Sequence, residues 1–153
     1  MKKSIVKDYG MVIGLRCVYR NHKAMDATRF LHGHSLGFSI TLTAEVDDKE
    51  KYGEVGVLEK FRKEKSGWMD EYLEEAFNHA VIVSTEDPYA NVIAIMETEG
   101  LADLRWMVGV GLTDFAQMIK TDFNEVLQQQ TNGVIKVDLV IVTEHQANRQ
   151  GLA

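Results

Sequence analysis

A chain of 153 residues, 45% of them hydrophobic, suits one globular domain spanning 1–153 with a sizeable core and leaves little room for a second. The net charge is -6, and the basic residues are scattered rather than gathered in a stripe, so a small molecule or a protein subunit is the expected partner and a nucleic acid is not. Charges interrupt the apolar residues of Met1 to Asp8 too early for a signal peptide, no stretch suits a membrane span, and one cysteine allows no intrachain disulfide; a cytoplasmic protein with Cys17 as a small core residue is expected.

In chain order, Met11 to Tyr19 is rich in Val, Ile, Leu and Tyr without helix caps, which predicts a strand leading to His22. From Ser35 to Asp47 the apolar Leu36, Phe38, Ile40, Leu42, Ala44 and Val46 alternate with polar Ser39, Thr41, Thr43, Glu45 and Asp47, which predicts a long strand with one buried face, antiparallel to the first. A charged turn, Asp47 to Glu50, follows. Val57, Leu58 and Phe61, then Trp68, Tyr72, Leu73 and Ala76, recur at helical spacing and predict two short helices broken at Ser66-Gly67. Asn78 to Val83 leaves the second helix as a short apolar run, Glu86-Asp87-Pro88 reads as a turn, and Tyr89 to Thr98 fits either helix or loop.

Leu104 to Val110 predicts a strand. Leu112, Phe115, Ala116, Ile119, Phe123, Val126 and Leu127 predict a helix capped by Thr113 or Asp114 and stopped by Asn132-Gly133. Val134 to Val142, apolar on both parities, predicts a last strand buried on both sides or paired in an oligomer. The expected class is α+β: a four-stranded antiparallel sheet with helices on one face. Its two open edges could be removed by joining subunits edge to edge into a barrel.

Three of the five histidines, His22, His32 and His34, fall within thirteen residues. In a strand, residues two apart share a face, so His32 and His34 offer neighbouring nitrogens, and His22 can add a third from the preceding strand. Three neutral nitrogens with an open position suit a catalytic zinc, whereas one cysteine excludes the cysteine-rich structural sites. A pair of half-buried polar side chains is the plainer explanation of His-x-His. Against it, both histidines share parity with the apolar set of the long strand.

With these landmarks in place, the chain resembles the 6-pyruvoyl-tetrahydropterin synthase family, which includes the 6-carboxytetrahydropterin synthases of queuosine biosynthesis. The resemblance rests on His22, on Leu31-His32-Gly33-His34, on Gly56-Val57-Leu58-Glu59-Lys60-Phe61 for the family's Gly-Met-Val-x-Asp-Phe, on Asn78-His79 for its Asp-His pair, and on Val140-Ile141-Val142-Thr143-Glu144-His145 for its Val-x-Val-x-Glu-Thr strand. It implies the tunnelling fold, in which trimers close a twelve-stranded barrel and two trimers stack into a hexamer, with sites between subunits. It further implies Zn2+ on His22, His32 and His34, a pterin anchored by Glu144, and His79 as proton carrier. Thr28 stands where the family has its catalytic cysteine, Asn78 where it has an aspartate and Lys60 where it has another; Val110-Gly111-Leu112-Thr113-Asp114 replaces the family's Pro-Thr-x-Glu-Asn. A threonine hydroxyl is far too weak an acid to replace a thiolate without an activating base.

The expected function is a zinc-dependent pterin enzyme acting on dihydroneopterin triphosphate or a related dihydropterin by lyase or aldol-type chemistry. The alternative is a zinc- and pterin-binding homologue without synthase turnover. Glu144 as a solvated strand-end carboxylate and His79 as a helix C-terminal histidine are the plain explanations of those two residues.

Overall fold

The computed structural model describes residues 2–45 and 56–145. The alternation seen from Ser35 onward forms strand β3 (His32–Glu45), around which the sheet is laid. Its neighbours are β1 (Lys2–Tyr9), β2 (Leu15–Tyr19), β4 (Ala80–Ser84), β5 (Leu104–Met107) and β6 (Ile135–Glu144). The helices are α1 (Gly56–Glu64), α2 (Gly67–Phe77), α3 (Ala90–Thr98) and α4 (Leu112–Thr131). Val46 and the charged turn expected at Asp47 to Glu50 lie outside the described residues.

The sheet runs β1-β3-β2-β4-β5, with β6 also on β3. β1 pairs with Phe38–Glu45 and β2 with His32–Leu36, while β6 spans Leu36–Ala44, so β1 and β2 lie end to end on one edge of β3 and β6 takes the other. These pairs are antiparallel, whereas β2–β4 and β4–β5 are parallel. The sheet is therefore six-stranded and mixed, not the four-stranded antiparallel sheet expected from the pattern.

Two strands escaped that pattern for physical reasons. β1 hides because its inward positions are partly polar and are matched by acids on α2: Lys7 Nζ lies 3.1 Å from Asp70, and the Tyr9 hydroxyl donates to Glu74 Oε1 at 2.7 Å. The predicted strand from Met11 begins only at Leu15, after a bend at Gly10, which holds φ at +69°. β4 hides because all five of its residues are buried and a short run apolar on both faces has no period to read.

The main core joins Leu36, Phe38, Ile40, Leu42 and Ala44 of β3 to Leu58, Phe77, Phe115 and Phe123 beneath α1, α2 and α4. A second cluster, Val81, Val83, Ile93 and Leu104, uses the alternate positions of β4 and places α3 on the opposite face. Helices thus cover both faces of the β4–β5 end, correcting the expectation of one covered face, and coverage of both faces accompanies the parallel pairing.

The two apolar parities of β6 have a local cause. Val137 faces Leu42 while Leu139 faces Thr41, so Asp138 is an extra residue and the inward set switches from Ile135 and Val137 to Val140 and Val142. Leu139 and Ile141 stay half exposed in the single chain rather than buried on both sides. α4 begins after Gly111, with no side-chain cap from Thr113 or Asp114, and ends at Asn132 in the left-handed region, as its Asn-Gly stop predicts.

The chain returns to the β1–β2 bend through His145, whose Nε2–H donates to the Gly10 carbonyl at 2.8 Å and whose backbone N–H donates to Ser35 at 2.8 Å. Gly37 leaves the room for that ring: a Cβ there would lie 2.7 Å from His145 Nε2 and 2.8 Å from Met11 Sδ. Gly37→Ala is expected to cost about 1 to 3 kcal/mol by overpacking. Urea unfolding checks it, and an unchanged midpoint would contradict the account.

Candidate metal centre and substrate pocket

Strand parity carries His34 to the covered face, as the alternation of β3 predicts, and its side chain is 5% exposed. Its ring lies parallel to Tyr19, centroids 3.6 Å apart and planes within 3°, and Tyr19 in turn meets the Phe115 ring edge-on at 5.3 Å. His34 Nδ1 is 2.5 Å from Glu144 Oε1, while its Nε2 is buried with no hydrogen-bond partner among the described residues. A carboxylate only accepts, so Nδ1 carries a hydrogen, and in the neutral imidazole the lone pair is then on Nε2.

His32 repeats the arrangement in the open. Its Nδ1–H donates to the Phe30 carbonyl at 2.7 Å, which frees Nε2, and its ring centroid is 4.2 Å from that of His34. Holding Nδ1 by an oxygen acceptor is how proteins prepare Nε2 for a metal. These two side chains therefore fit zinc chemistry. His22 sits half-buried in the loop after β2, and among the described residues no three His, Cys, Asp or Glu side chains are grouped to hold a metal ion together.

A pocket of about 880 Å³ opens where the ends of β2, β3 and β6 meet the start of β4, and it is lined by Cys17, His34, His79, Asp103, Glu144 and His145 among others. Three residues singled out from the sequence, His34, His79 and Glu144, thus share one cavity. Cys17, which pairs with His34 between β2 and β3, was expected to be plain core; it is buried but lines this cavity. Burial, and then the Glu144 charge, push its thiol up to about 12, so it stays protonated at neutral pH and is no nucleophile. Burial, and then the Glu144 charge, likewise pushes the Tyr19 phenol well above its ordinary value.

His79 is exposed at the end of α2 with φ +58°, and its N–H donates to the Arg16 carbonyl at 2.6 Å. Asn78 does not serve it as an aspartate would. Its Oδ1 accepts the Arg16 N–H at 3.2 Å and its Nδ2 donates to Glu74 Oε2 at 2.8 Å, a tie between α2 and β2. Thr28 lies outside the pocket lining in a short 3-10 turn (Ala27–Arg29), with its hydroxyl and N–H both donating to Asp26 Oδ1, at 2.5 and 2.9 Å. Lys60 lines a separate cavity of about 690 Å³ beside α1.

Sequence reasoning missed the clamp on the loop that carries His22 and Thr28. Arg20 grips Asp87 with two hydrogen bonds, at 2.8 and 3.0 Å, and donates to the Arg29 carbonyl at 2.6 Å. Nothing local in either segment signals a contact between positions 67 apart.

No family model matches the chain, and no curated protein sequence matches it. Solved structures do. An uncharacterized protein from Wolinella succinogenes is similar with a TM-score of 0.70 at 13% identity, over 94% of this chain and 93% of that one. The 6-pyruvoyl tetrahydropterin synthase of Plasmodium vivax is similar with a TM-score of 0.53 at 9% identity, over 96% of this chain and 99% of that one. The same enzyme from Plasmodium falciparum gives 0.50 at 10% identity, over 94% and 99%. No described helix is long and apolar enough to cross a membrane. The chain has a fold similar to that of 6-pyruvoyl tetrahydropterin synthase.

Proposed function

We propose that the chain is a zinc-dependent pterin enzyme of the 6-pyruvoyl-tetrahydropterin synthase type, a cytoplasmic protein of pterin or queuosine biosynthesis. Its substrate in this reading is dihydroneopterin triphosphate or a related dihydropterin, converted by lyase or aldol-type chemistry. The observation that carries the proposal is the buried, unpartnered Nε2 of His34 in the cavity that also holds His79 and Glu144. A fold similar to the synthase supports it.

His32 and His34, with His22 as third ligand, would hold zinc, which when bound supplies a Lewis acid for the oxygens of the substrate side chain. Glu144 has its second carboxylate oxygen to accept N–H groups of the heterocycle. His79, exposed at the pocket, moves the proton between side-chain carbons as a general base without a carboxylate behind it. Retro-aldol cleavage asks for one base and a Lewis acid more than for a thiolate, which suits a pocket whose only thiol is protonated. Half-exposed Leu139 and Ile141 on β6 support assembly into a homo-oligomer, a hexamer built as a dimer of trimers.

A second reading, a homologue that binds zinc and a pterin without turnover, is favoured by the commitment of Thr28 to Asp26 and of Asn78 to Glu74. Zinc-loaded protein incubated with dihydroneopterin triphosphate and with dihydroneopterin, followed by fluorescence-detected chromatography, separates the two. Product formation is expected; silence on both substrates would leave only the binding reading. Changing His22, His32 and His34 together to Ala is expected to abolish stoichiometric zinc, and zinc retained by that variant would refute the site.

A further inference from the structure

We infer that Glu144 is a positioning residue for His34, locking the imidazole, with Tyr19 against its face, as the Nδ1–H tautomer with Nε2 bare. Glu144 faces Leu36 across β3 and β6, which makes it a diagonal neighbour of His34 on the same face. That placement brings Oε1 to 2.5 Å from Nδ1. The hydrogen bond decides which nitrogen carries the hydrogen, and the stack on Tyr19 fixes the plane of the ring. Neither restraint alone does both. Tyr19 is itself held by its pairing opposite His32 and by the edge contact with Phe115.

A buried imidazole nitrogen without a partner is an uncompensated polar atom, and proteins keep few of them. Two independent restraints that together leave that one atom bare point to a ligand for it. Glu144 is therefore not solely an anchor for the heterocycle: one of its oxygens is committed to His34 and one remains.

The role of that bare nitrogen as a zinc ligand rests on the function proposed above, whereas the lock on His34 can be read in metal-free protein. Long-range 15N–1H correlation spectra, recorded where the imidazole is neutral, are expected to show His34 as the Nδ1–H tautomer in the wild type. The same tautomer is expected in Glu144→Gln, whose amide oxygen still accepts, and a shift toward Nε2–H in Glu144→Ala. An unchanged tautomer in Glu144→Ala would overturn the inference. Zinc competition against a chromophoric chelator is expected to show a 10- to 100-fold weaker affinity in Glu144→Ala, largely regained in Glu144→Gln. Equal affinity in Glu144→Ala and wild type would count against Glu144 as a positioning residue. A wild type that takes up no zinc but shows the tautomer shift would sink the zinc reading and leave the lock on His34 standing.

Discussion

Arg20→Met is expected to lower the unfolding free energy by about 3 kcal/mol, the low end of the cost of breaking a buried ion pair. The Asp87 side chain is 2% exposed and that of Arg20 17%, so methionine fills the space but leaves a buried carboxylate with, among the described residues, only the Tyr89 N–H at 2.9 Å. Hydrogen bonding from Arg20 holds the Asp87 carboxyl below the usual carboxylate range against the opposing effect of burial. The folded state therefore binds that proton less readily than the unfolded chain. The pair's contribution is fully present above the ordinary carboxylate value of about 4 and is lost as pH falls through the lower folded value. Urea unfolding at neutral pH should show the full gap between wild type and variant, and the gap should narrow in acid. A neutral-pH loss below about 1 kcal/mol would mean that the pair behaves like an exposed one.

The clamp also marks where reading a sequence stops. Period two along β3 placed His34 on the covered face because one buried face forces the alternation, and the Asn132-Gly133 stop of α4 is equally local. The third histidine is different. Spacing puts His22 within reach of the pair, but the course of its loop is set by Arg20 reaching Asp87 and the Arg29 carbonyl, partners supplied only by the tertiary fold. The stack of Tyr19 on His34 depends on the register of β2 against β3, which a strand pattern does not fix. β1 went unread because Lys7 and Tyr9 face inward toward acids on another element, and the parity switch of β6 because a bulge leaves no composition signature. Residue types capable of the chemistry were thus legible in the pattern itself, while the convergence of His34, His79 and Glu144 on one pocket was implied only by the family resemblance.

Changing His79 to glycine is expected to stabilise the protein and silence it at once. A non-glycine residue at φ +58° carries about 1 to 2 kcal/mol of backbone strain, and glycine removes that at the cost of extra freedom in the unfolded chain, for a net gain of about 0.5 to 1 kcal/mol. If His79 is the proton carrier proposed above, its loss should lower turnover by about 10²- to 10⁴-fold. A merely capping residue predicts the gain without the loss, since glycine suits the position after a helix better than histidine does. His79→Asn serves as the control, because asparagine tolerates the left-handed region, keeps the N–H that bonds Arg16, and cannot carry the proton. Chemical denaturation and steady-state kinetics on both variants decide between the two roles. Both variants inactive, with only the glycine variant stabilised, assigns the strain to holding the imidazole at the pocket. Full turnover in either variant removes His79 from the reaction and returns the role of general base to the other titratable side chains that line the pocket, Asp103 and His145 among them.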